Sequence, residues 1–240
     1  MMKDVILKRQ VLIGGTDKPW MSDAEVRIVT WRVLKALEFM HSLSADGSSI
    51  LHRDLKPDNV MLARRGPDGC GDCSTAKLAD LGHSKLLDGV SRTFTDAIGT
   101  AEYSPPEIAA ARLSMPTDGH TKALDMWTVG VLLYVCFIHT YPFGTAGDRK
   151  KPEVHVKMVS LNRNIVGFGL RGTTPEALRH IVPPGSEQAA LFALRNEHAR
   201  KLMQTLLQAE ARDRPRVEDA LRNPWFDGIE AEAGAGAATP

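Results

Sequence analysis

The sequence predicts a mainly helical α+β fold, and three features of the chain support this prediction. Two long segments, 23–41 and 187–208, carry apolar residues at helical spacing. A third segment, 123–138, is apolar on all sides, which is typical of a helix buried at the centre of a domain. Two short runs, 59–62 and 76–80, flank a loop rich in Gly, Pro and Asp, which predicts a small β-hairpin.

The first helix is predicted to begin at Asp23 and to end near His41. Ser22 and Glu25 have the spacing of a capping box, in which the two residues satisfy backbone N–H groups at the helix N-terminus. The apolar residues that follow lie three or four positions apart, and they are Val26, Val29, Val33, Leu37 and Met40. We therefore expect this face of the helix to pack on the core.

Extended segments are predicted between the helices. A run rich in Ser and Gly ends the first helix, and Ile50 and Leu51 are then expected to form a short buried extended piece. Residues 82–106 show little periodicity and many Ser, Thr and Gly. This composition indicates an extended segment on the surface.

The end of the chain is predicted to contain one more short helix and then a tail. Pro is a favoured residue at the first position of a helix, so the helix is expected to begin at Pro215. Residues 230–240 are mostly small and have little apolar surface to bury. We therefore predict that this tail is disordered.

Composition excludes several classes of protein. The 240 residues are 43% hydrophobic and 25% charged, as in a soluble globular domain, and the net charge of +1 gives no general attraction to nucleic acid or membranes. The apolar segment 123–138 is shorter than the roughly 20 residues of a membrane span and contains Asp125. The three cysteines do not suggest a disulfide framework, and the charged first residues do not resemble a secretory signal. We expect a cytoplasmic location, with the nucleus also compatible.

A polar cluster in the segment LHRDLKPDNVML, residues 51–62, has the residue types that phosphoryl transfer requires. That reaction needs a carboxylate to orient the acceptor hydroxyl, oxygen ligands for Mg²⁺, and a cation near the transferred group. Asp54 supplies the carboxylate, Asn59 one metal ligand and Lys56 the cation. A second metal ligand is predicted at Asp80, which follows a strand and precedes a turn that contains Gly.

Three motifs of this chain resemble the catalytic signatures of the eukaryotic-type protein kinases. They are His52-Arg53-Asp54 with Asn59, then Asp80-Leu81-Gly82, then Pro105-Pro106-Glu107. Three motifs in the order of the family are far more specific than one short motif. The resemblance runs from about residue 1 to about residue 226 and implies the large C-terminal lobe of a calcium/calmodulin-kinase-like domain.

The resemblance implies a protein serine/threonine kinase that transfers the γ-phosphoryl group of Mg-ATP to protein substrates. Lys56, two residues after the catalytic Asp54, is typical of the serine/threonine class. Thr100, in the run GTAEY, is expected to hydrogen-bond Asp54 and Lys56. Met61 falls where the family has the apolar floor under adenine, although packing in the core would explain this residue equally well.

The same resemblance implies residues that support the site. Asp125, in the run DMWTVG, is expected to brace the backbone of the catalytic loop. Arg214, in the run RDRP, is expected to pair with Glu107. His52 is assigned as structural support, and Gly82 is expected to permit a sharp bend of the backbone.

The segment 83–99 resembles an activation loop. Thr93 and Thr95 are candidate phosphorylation sites, and Ser91 is a weaker one. Arg53 is the residue that such a phosphate would pair with. An unmodified loop is the open alternative, because short loops rich in Ser and Thr are common on surfaces.

Two other patterns are not assigned to sites. The run GFGLRG, residues 167–172, matches G-x-G-x-x-G, but it follows the catalytic loop, whereas the kinase loop of this type precedes it. Cys70 and Cys73 form a single C-x-x-C without the two further ligands of a zinc site. Three scattered histidines are expected to be ordinary polar residues, namely His83, His120 and His139.

Residues 1–50 contain no recognisable Gly-rich loop, strand lysine or helix glutamate, which are the features with which the kinase small lobe holds ATP. The expectation is a large lobe over residues 1–229, with a cleft that a small lobe or a partner would cover and with little activity by itself. Leu81 also replaces the more usual Phe of its motif. The alternative is a non-catalytic kinase-like module that binds a partner. The missing small lobe favours this alternative, and the intact motif residues argue against it.

Overall fold

The computed structural model describes residues 21–42, 45, 47–65, 71–87, 99–112, 121–138, 141–142 and 196–235. The helices in this part of the chain are α1 Asp23–His41, α2 Pro106–Arg112, α3 Ala123–Ile138, α4 Glu197–Leu206, α5 Val217–Leu221 and α6 Ile229–Ala235. The strands are β1 Ser49–Leu51, β2 Val60–Leu62, β3 Ala76–Leu78 and β4 Lys85–Leu87. Helices dominate over short antiparallel strands, so the prediction of a mainly α fold is confirmed.

Helix α1 has the bounds that the sequence predicted. The Ser22 hydroxyl accepts the N–H of Glu25 at 3.3 Å, and the Glu25 carboxylate accepts the N–H of Ser22 at 2.8 Å, so the capping box is present. The helix ends where Ser42 adopts an extended backbone and donates its N–H to the Glu38 carbonyl. One face of α1 is buried, and its residues include Val26, Val29, Val33, Leu34 and Leu37.

Helix α3 lies at the centre of the core and confirms the prediction of a buried helix. Trp127 and Leu133 are completely buried, and α3 packs against both α1 and α4. A Cβ atom on Gly130 would come within 2.9 Å of Leu206 and Leu207, so glycine permits the close approach of α3 and α4. No helix in the described part of the chain is long and apolar enough to cross a membrane.

The strands form two small antiparallel sheets. β2 pairs with β3 as the sequence predicted, with Val60 opposite Leu78 and Leu62 opposite Ala76. β1 pairs with β4, and this second sheet was not predicted, because residues 82–106 were expected to form only a surface segment. That expectation is also wrong at its other end, where Tyr103 and Pro106 are buried.

Ile50 corrects a prediction of burial. Its neighbour Leu51 is completely buried, but Ile50 is 36% exposed. Successive side chains of a strand point to opposite faces, so only one of the two residues can face the core.

The last helices differ from the prediction in two ways. α5 begins at Val217, two residues after Pro215. Residues 230–235 were predicted to be disordered but belong to α6, whose Ile229 and Ala233 are buried one turn apart. Arg27 of α1 contacts this helix through Glu232 at 3.1 Å, so burial and an ion pair hold residues that composition alone placed in a tail. Residues 236–240 lie outside the described residues.

Helix α4 covers part of the predicted helix 187–208, whose first nine residues lie outside the described part. Asn196 caps the helix by accepting the N–H of Ala199 at 3.0 Å. Leu202 and Leu206 are buried as expected, whereas His198 is exposed. Within the described part of this helix, Ala199 rather than His198 therefore lies on the buried face.

Candidate active site

Asp125 of α3 fastens the segment that contains the polar cluster, here called the catalytic loop (residues 52–59). The Asp125 side chain is completely buried, and its carboxylate accepts the N–H groups of His52 and Arg53, each at 2.9 Å. His41 of α1 contacts the same carboxylate through Nε2 at 2.8 Å. Burial acts to raise the pKa of Asp125, but these hydrogen bonds outweigh it, so the pKa lies below its ordinary value. A buried carboxylate with these partners holds the loop backbone in place.

The loop backbone is unusual at Arg53, whose φ of 67° lies in the left-handed region. A residue with a side chain pays a steric penalty there, so the conformation persists only where neighbouring contacts impose it. The hydrogen bond from the Arg53 N–H to Asp125 is such a contact. The Arg53 side chain is also engaged, because its Nε donates to the carbonyl of His83 at 2.8 Å.

His52 joins the catalytic loop to the end of β3. Its Nδ1 accepts the N–H of Asp54 at 3.3 Å, so the proton of the neutral ring resides on Nε2. Nε2 can then donate to the carbonyl of Ala79 at 3.1 Å. The residue after Ala79 is Asp80, so this contact brings the two predicted parts of the site together.

The Asp54 carboxylate is buried and surrounded by donors. Its Oδ1 accepts the N–H and the hydroxyl of Thr100 at 3.0 and 2.7 Å. Its Oδ2 accepts Lys56 Nζ at 2.7 Å and Asn59 Nδ2 at 3.2 Å. Burial acts to raise the pKa of Asp54, but the hydrogen bonds from Lys56 and Thr100 outweigh it and hold the pKa below its ordinary value. Asp54 is therefore ionised at neutral pH and can accept a hydrogen bond from an alcohol.

Thr100 makes both of the contacts that the sequence led us to expect. Besides its bonds to Asp54, its hydroxyl accepts Lys56 Nζ at 2.8 Å. The preceding Gly99 has a φ of +85°, and a Cβ atom there would lie 2.5 Å from the Arg53 carbonyl oxygen. Only glycine fits this approach, which presses the backbone before Thr100 against the catalytic loop.

Asp80 and Asn59 have the donor atoms that suit Mg²⁺. The Ala79 N–H donates to the Asn59 carbonyl at 2.9 Å, so Asp80 follows directly after a contact with the catalytic loop. Asp80 is exposed at the end of the hairpin, and Asn59 uses Nδ2 for its bonds to Asp54. The Asn59 amide oxygen and the Asp80 carboxylate are thus available in the described structure, and Mg²⁺ prefers oxygen ligands.

No group of three or more His, Cys, Asp and Glu residues in the described ranges could hold a metal ion. Mg²⁺ sites commonly combine one or two protein ligands with water and the phosphate oxygens of a nucleotide. The pair of Asp80 and Asn59 fits that kind of site. It does not fit a site in which protein ligands alone enclose the ion.

Gly82 lies in a turn, as the sequence predicted, and this turn is closed by the Ser84 N–H, which donates to the Leu81 carbonyl at 2.9 Å. The residue with left-handed backbone is Asp80, at a φ of 62°, and not Gly82. The Gly82 N–H donates to the Asp80 Oδ1 at 3.1 Å, and a Cβ atom on Gly82 would lie 3.0 Å from that same oxygen. Gly82 therefore also provides space and a donor for the Asp80 carboxylate, and Asp80 contributes the left-handed backbone just before the turn.

Arg214 pairs with Glu107 as expected. The guanidinium donates to both carboxylate oxygens of Glu107, at 2.7 and 2.8 Å, and lies 5.0 Å from the centroid of the Trp127 ring. It also donates to backbone carbonyls, including that of Gln208 at 2.8 Å. This bidentate pair anchors the start of α2 to the core.

The sequence matches the family profile described as "Protein kinase domain" over residues 4–226. The chain belongs to the protein kinase family. It is 26% identical over 227 residues to the phosphorylase b kinase gamma catalytic chain, liver/testis isoform, of Mus musculus. That alignment covers 95% of this chain and 46% of the mouse protein. It is 27% identical over 205 residues to the calcium/calmodulin-dependent protein kinase cmkA of Emericella nidulans, covering 83% of this chain and 38% of that protein.

A third relative is the human serine/threonine-protein kinase D2, which is 27% identical over 215 residues and covers 90% of this chain and 20% of that protein. The chain thus spans less than half the length of these relatives. The resemblance to the serine/threonine class of protein kinases is confirmed.

Two apolar residues of this kinase domain lie exposed beside the site. Met61 is 44% exposed, and Leu81 is 54% exposed. Core packing therefore does not explain Met61, and its exposure on β2 suits a residue that faces a ligand. Its role under adenine stays a prediction.

Several residues of the sequence analysis lie outside the described part of the kinase domain. They are the candidate phosphorylation sites Thr93 and Thr95 with Ser91, the GFGLRG run, and Cys70, His120 and His139. Cys73 is described and is buried. The pairing of Arg53 with a phosphate stays a prediction.

Two histidines of the site were missed by the sequence analysis. His83, which was expected to be an ordinary polar residue, has its Nδ1 3.6 Å from the Asp54 Oδ2. His41 contacts Asp125, and a signal for it was present, because His41 lies four positions after the buried Leu37 on α1. The signal for His83 was weaker, namely its place directly after the Asp80-Leu81-Gly82 motif.

Proposed function

We propose that this chain is the catalytic part of a protein serine/threonine kinase. In this proposal it transfers the γ-phosphoryl group of Mg-ATP to Ser or Thr hydroxyls of protein substrates. The observation that carries this proposal is the Asp54 carboxylate, which is ionised and held by Lys56, Thr100 and Asn59. Family membership supports the reaction class, and the contacts of Asp54 support activity rather than a silent site.

Asp54 is the residue that we assign to the acceptor hydroxyl. Its carboxylate accepts a hydrogen bond from the Ser or Thr hydroxyl, orients the oxygen, and receives the proton. The oxygen forms a bond to the γ-phosphorus while the bond between that phosphorus and the bridging oxygen breaks, and ADP leaves with the electron pair. The products are a phosphoserine or phosphothreonine, ADP and one proton on Asp54.

Lys56 and Thr100 keep this carboxylate in place. Lys56 Nζ bridges Asp54 and the Thr100 hydroxyl at 2.7 and 2.8 Å, so the ammonium lies beside the carboxylate that we assign to the acceptor hydroxyl. Its charge would also balance the charge on the transferred phosphoryl group.

Asn59 and Asp80 are the residues that we assign to Mg²⁺. When bound, the ion supplies positive charge that offsets the charge of the ATP phosphates. Asn59 contributes a second function, because its Nδ2 donates to the Asp54 carbonyl at 2.7 Å and so links the metal-binding position to the base. Met61 is assigned to the adenine side on the basis of its exposure.

A small lobe or a partner that covers the cleft belongs to the proposal. Residues 1–50 contain no recognisable Gly-rich loop or strand lysine. We therefore expect slow transfer by this chain alone and faster transfer when a polypeptide that carries these features is added. We also keep a cytoplasmic location as a prediction, which cell fractionation with an antibody to the chain would test.

The test is transfer of labelled γ-phosphate from Mg-ATP to peptides that differ only in carrying Ser, Thr or Tyr. The small lobe of a kinase relative is added in a second arm. We expect label on Ser and Thr but not on Tyr, and Asp54→Asn is expected to lower the rate by about 100-fold or more. The control is Asp219→Asn, on an exposed residue of α5. Equal rates for the wild type and Asp54→Asn in both arms would overturn the proposal.

A non-catalytic binding module is not favoured. Such a module would bind its partner without an ionised Asp54, and the network of donors around this carboxylate would have no purpose. The same Asp54→Asn variant separates the two functions. In a binding module, partner binding would persist in the variant, and neither the wild type nor the variant would transfer phosphate.

A further inference from the structure

The backbone just before Thr100 is contacted by a residue of α2. The Gly99 carbonyl accepts a hydrogen bond from Nη2 of Arg112, the last residue of α2. Gly99 has no side chain that could form contacts, and its backbone lies against the Arg53 carbonyl. The contact from Arg112 therefore supports the backbone at Gly99, in addition to the bonds that Thr100 itself makes with Asp54 and Lys56.

Helix α2 is itself fixed to the core at its other end. Glu107, in its first turn, forms the bidentate pair with Arg214, which lies over the Trp127 ring. Ile108 on the same helix is buried. The helix thus connects a rigid pair in the core to Arg112 and, through it, to the Gly99 carbonyl.

The charge of Arg112 is also relevant to Asp54. Partial burial lowers the pKa of Arg112 below its ordinary value, while the carboxylates of Glu102 and Asp54 act in the opposite direction. Asp54 is therefore within electrostatic reach of this guanidinium, which keeps its charge at neutral pH because arginine titrates far above it. The guanidinium adds to the positive charge that Lys56 places beside Asp54.

We propose that Arg112 is a positioning residue, which holds the Gly99 carbonyl and thereby keeps Thr100 on the carboxylate of Asp54. Only the expected effect of Arg112 on catalysis rests on the proposed function. The structural part concerns the Thr100 contacts and can be tested without any activity. Thr100 donates its N–H to Asp54 Oδ1 at 3.0 Å, and this bond protects the amide hydrogen from exchange with water.

The first experiment measures amide hydrogen exchange at Thr100 by NMR on the full chain. The variants are Arg112→Met, which removes the donors at similar length, and Arg112→Lys, which keeps the charge and one donor group. The control is Arg222→Met, because Arg222 is an exposed arginine in a surface ion pair with Asp219. Unfolding by urea checks that every variant is folded.

Arg112→Met is expected to raise exchange at Thr100 by about tenfold or more, and Arg112→Lys by less. Arg222→Met is expected to leave Thr100 unchanged. Unchanged exchange at Thr100 in a folded Arg112→Met protein would overturn the inference, whatever its activity. Exchange that rises equally throughout the catalytic loop, at His52 and Arg53 as well, would also contradict it, because it would show general loosening.

The second experiment measures peptide phosphorylation by the same variants. Arg112→Met is expected to lower kcat by about 10- to 100-fold, with the KM for ATP unchanged, because misplacement of Thr100 affects the base and not the nucleotide. Arg112→Lys is expected to recover part of kcat. A rise in KM for ATP with unchanged kcat would contradict a positioning role at Asp54. If the wild type shows no transfer even with the added small lobe, the proposed function fails, and the exchange experiment still decides the role of Arg112.

Discussion

The floor of the active site differs from its rim in how each is held. The floor is the catalytic loop, whose His52, Arg53, Asp54 and Asn59 are buried and joined by hydrogen bonds to Asp125 and to each other. The rim is the set of exposed residues beside it, namely Met61, Asp80, Leu81, Gly82 and His83. The fold alone therefore builds the part of the site that we assign to the acceptor hydroxyl. The part that we assign to the nucleotide meets solvent.

The difference follows from the cost of buried charge. A carboxylate without partners in the interior destabilises the fold by several kcal/mol, so Asp54 and Asp125 require the donors that surround them. Exposed residues carry no such requirement, because water can solvate them. We therefore expect changes in the floor to affect stability and activity together, and changes in the rim to affect mainly nucleotide binding.

The largest effect is expected for Asp125→Ala. This change leaves the N–H groups of His52 and Arg53 without their acceptor, and we expect a loss of about 3–5 kcal/mol in the free energy of unfolding, measured with urea. The matched change in the rim, Asp80→Ala, is expected to cost less than about 1 kcal/mol. Similar losses for the two variants would mean that floor and rim are not distinct.

A second comparison uses two glycines with left-handed backbone. Gly99 and Gly228 have φ values of +85° and +77°, but only at Gly99 would a Cβ atom meet a neighbour, at 2.5 Å from the Arg53 carbonyl oxygen. Both Ala variants pay the backbone penalty of about 1–2 kcal/mol. Gly99→Ala is expected to cost about 1–3 kcal/mol more and to lower activity, because the backbone before Thr100 must move away from the loop.

Equal unfolding free energies for Gly99→Ala and Gly228→Ala would show that the close approach of Gly99 to the loop is not important for stability. Loss of activity without any loss of stability in Gly99→Ala would instead assign the approach to catalysis alone.

A pH effect of smaller size is expected from the two floor carboxylates. The pKa values of Asp54 and Asp125 are lower in the folded protein than in the unfolded chain, so the unfolded chain binds more protons in the acid range. Their contribution to stability is fully present above the unfolded pKa of about 4 and is lost as the pH falls through the lower folded values. Urea unfolding from pH 7 to pH 2 measures this slope. The slope should decrease in Asp125→Asn, and an unchanged slope in that variant would contradict this explanation.

The smallest effect on stability is expected for Met61→Ala. Met61 is 44% exposed, so its loss should change the free energy of unfolding by less than about 1 kcal/mol. Because we assign Met61 to the adenine side, its removal should still weaken the binding of ATP severalfold. Titration calorimetry in the presence of the added small lobe would measure this change. Unchanged ATP affinity would exclude Met61 from the nucleotide site.

Local signals allowed the sequence to predict part of the fold and of the site. The capping box at Ser22 fixed the start of α1, and the position of Thr100 in its motif led to its contacts with Asp54 and Lys56. These features depend on residues close in sequence or on a motif with a defined spacing.

Features that depend on distant contacts were not predictable from one sequence. The pairing of β1 with β4 joins Ile50 to Leu86, and neither strand shows a pattern that indicates its partner. The order of residues 230–235 depends on burial against α1, which composition cannot reveal. The contact of Arg112 with Gly99 likewise joins a helix end to a loop, and no motif marks it.

The most direct test of the proposed site uses Mn²⁺-ATP as a paramagnetic probe in NMR spectra of this chain. The broadening of amide signals depends on distance to the ion and remains measurable when binding is weak. We expect the strongest broadening at Asn59 and Asp80, little at α6, and a clear loss of the effect in Asp80→Ala. Broadening centred on another surface, or unchanged broadening in Asp80→Ala, would contradict the assignment of this site to a metal-bound nucleotide.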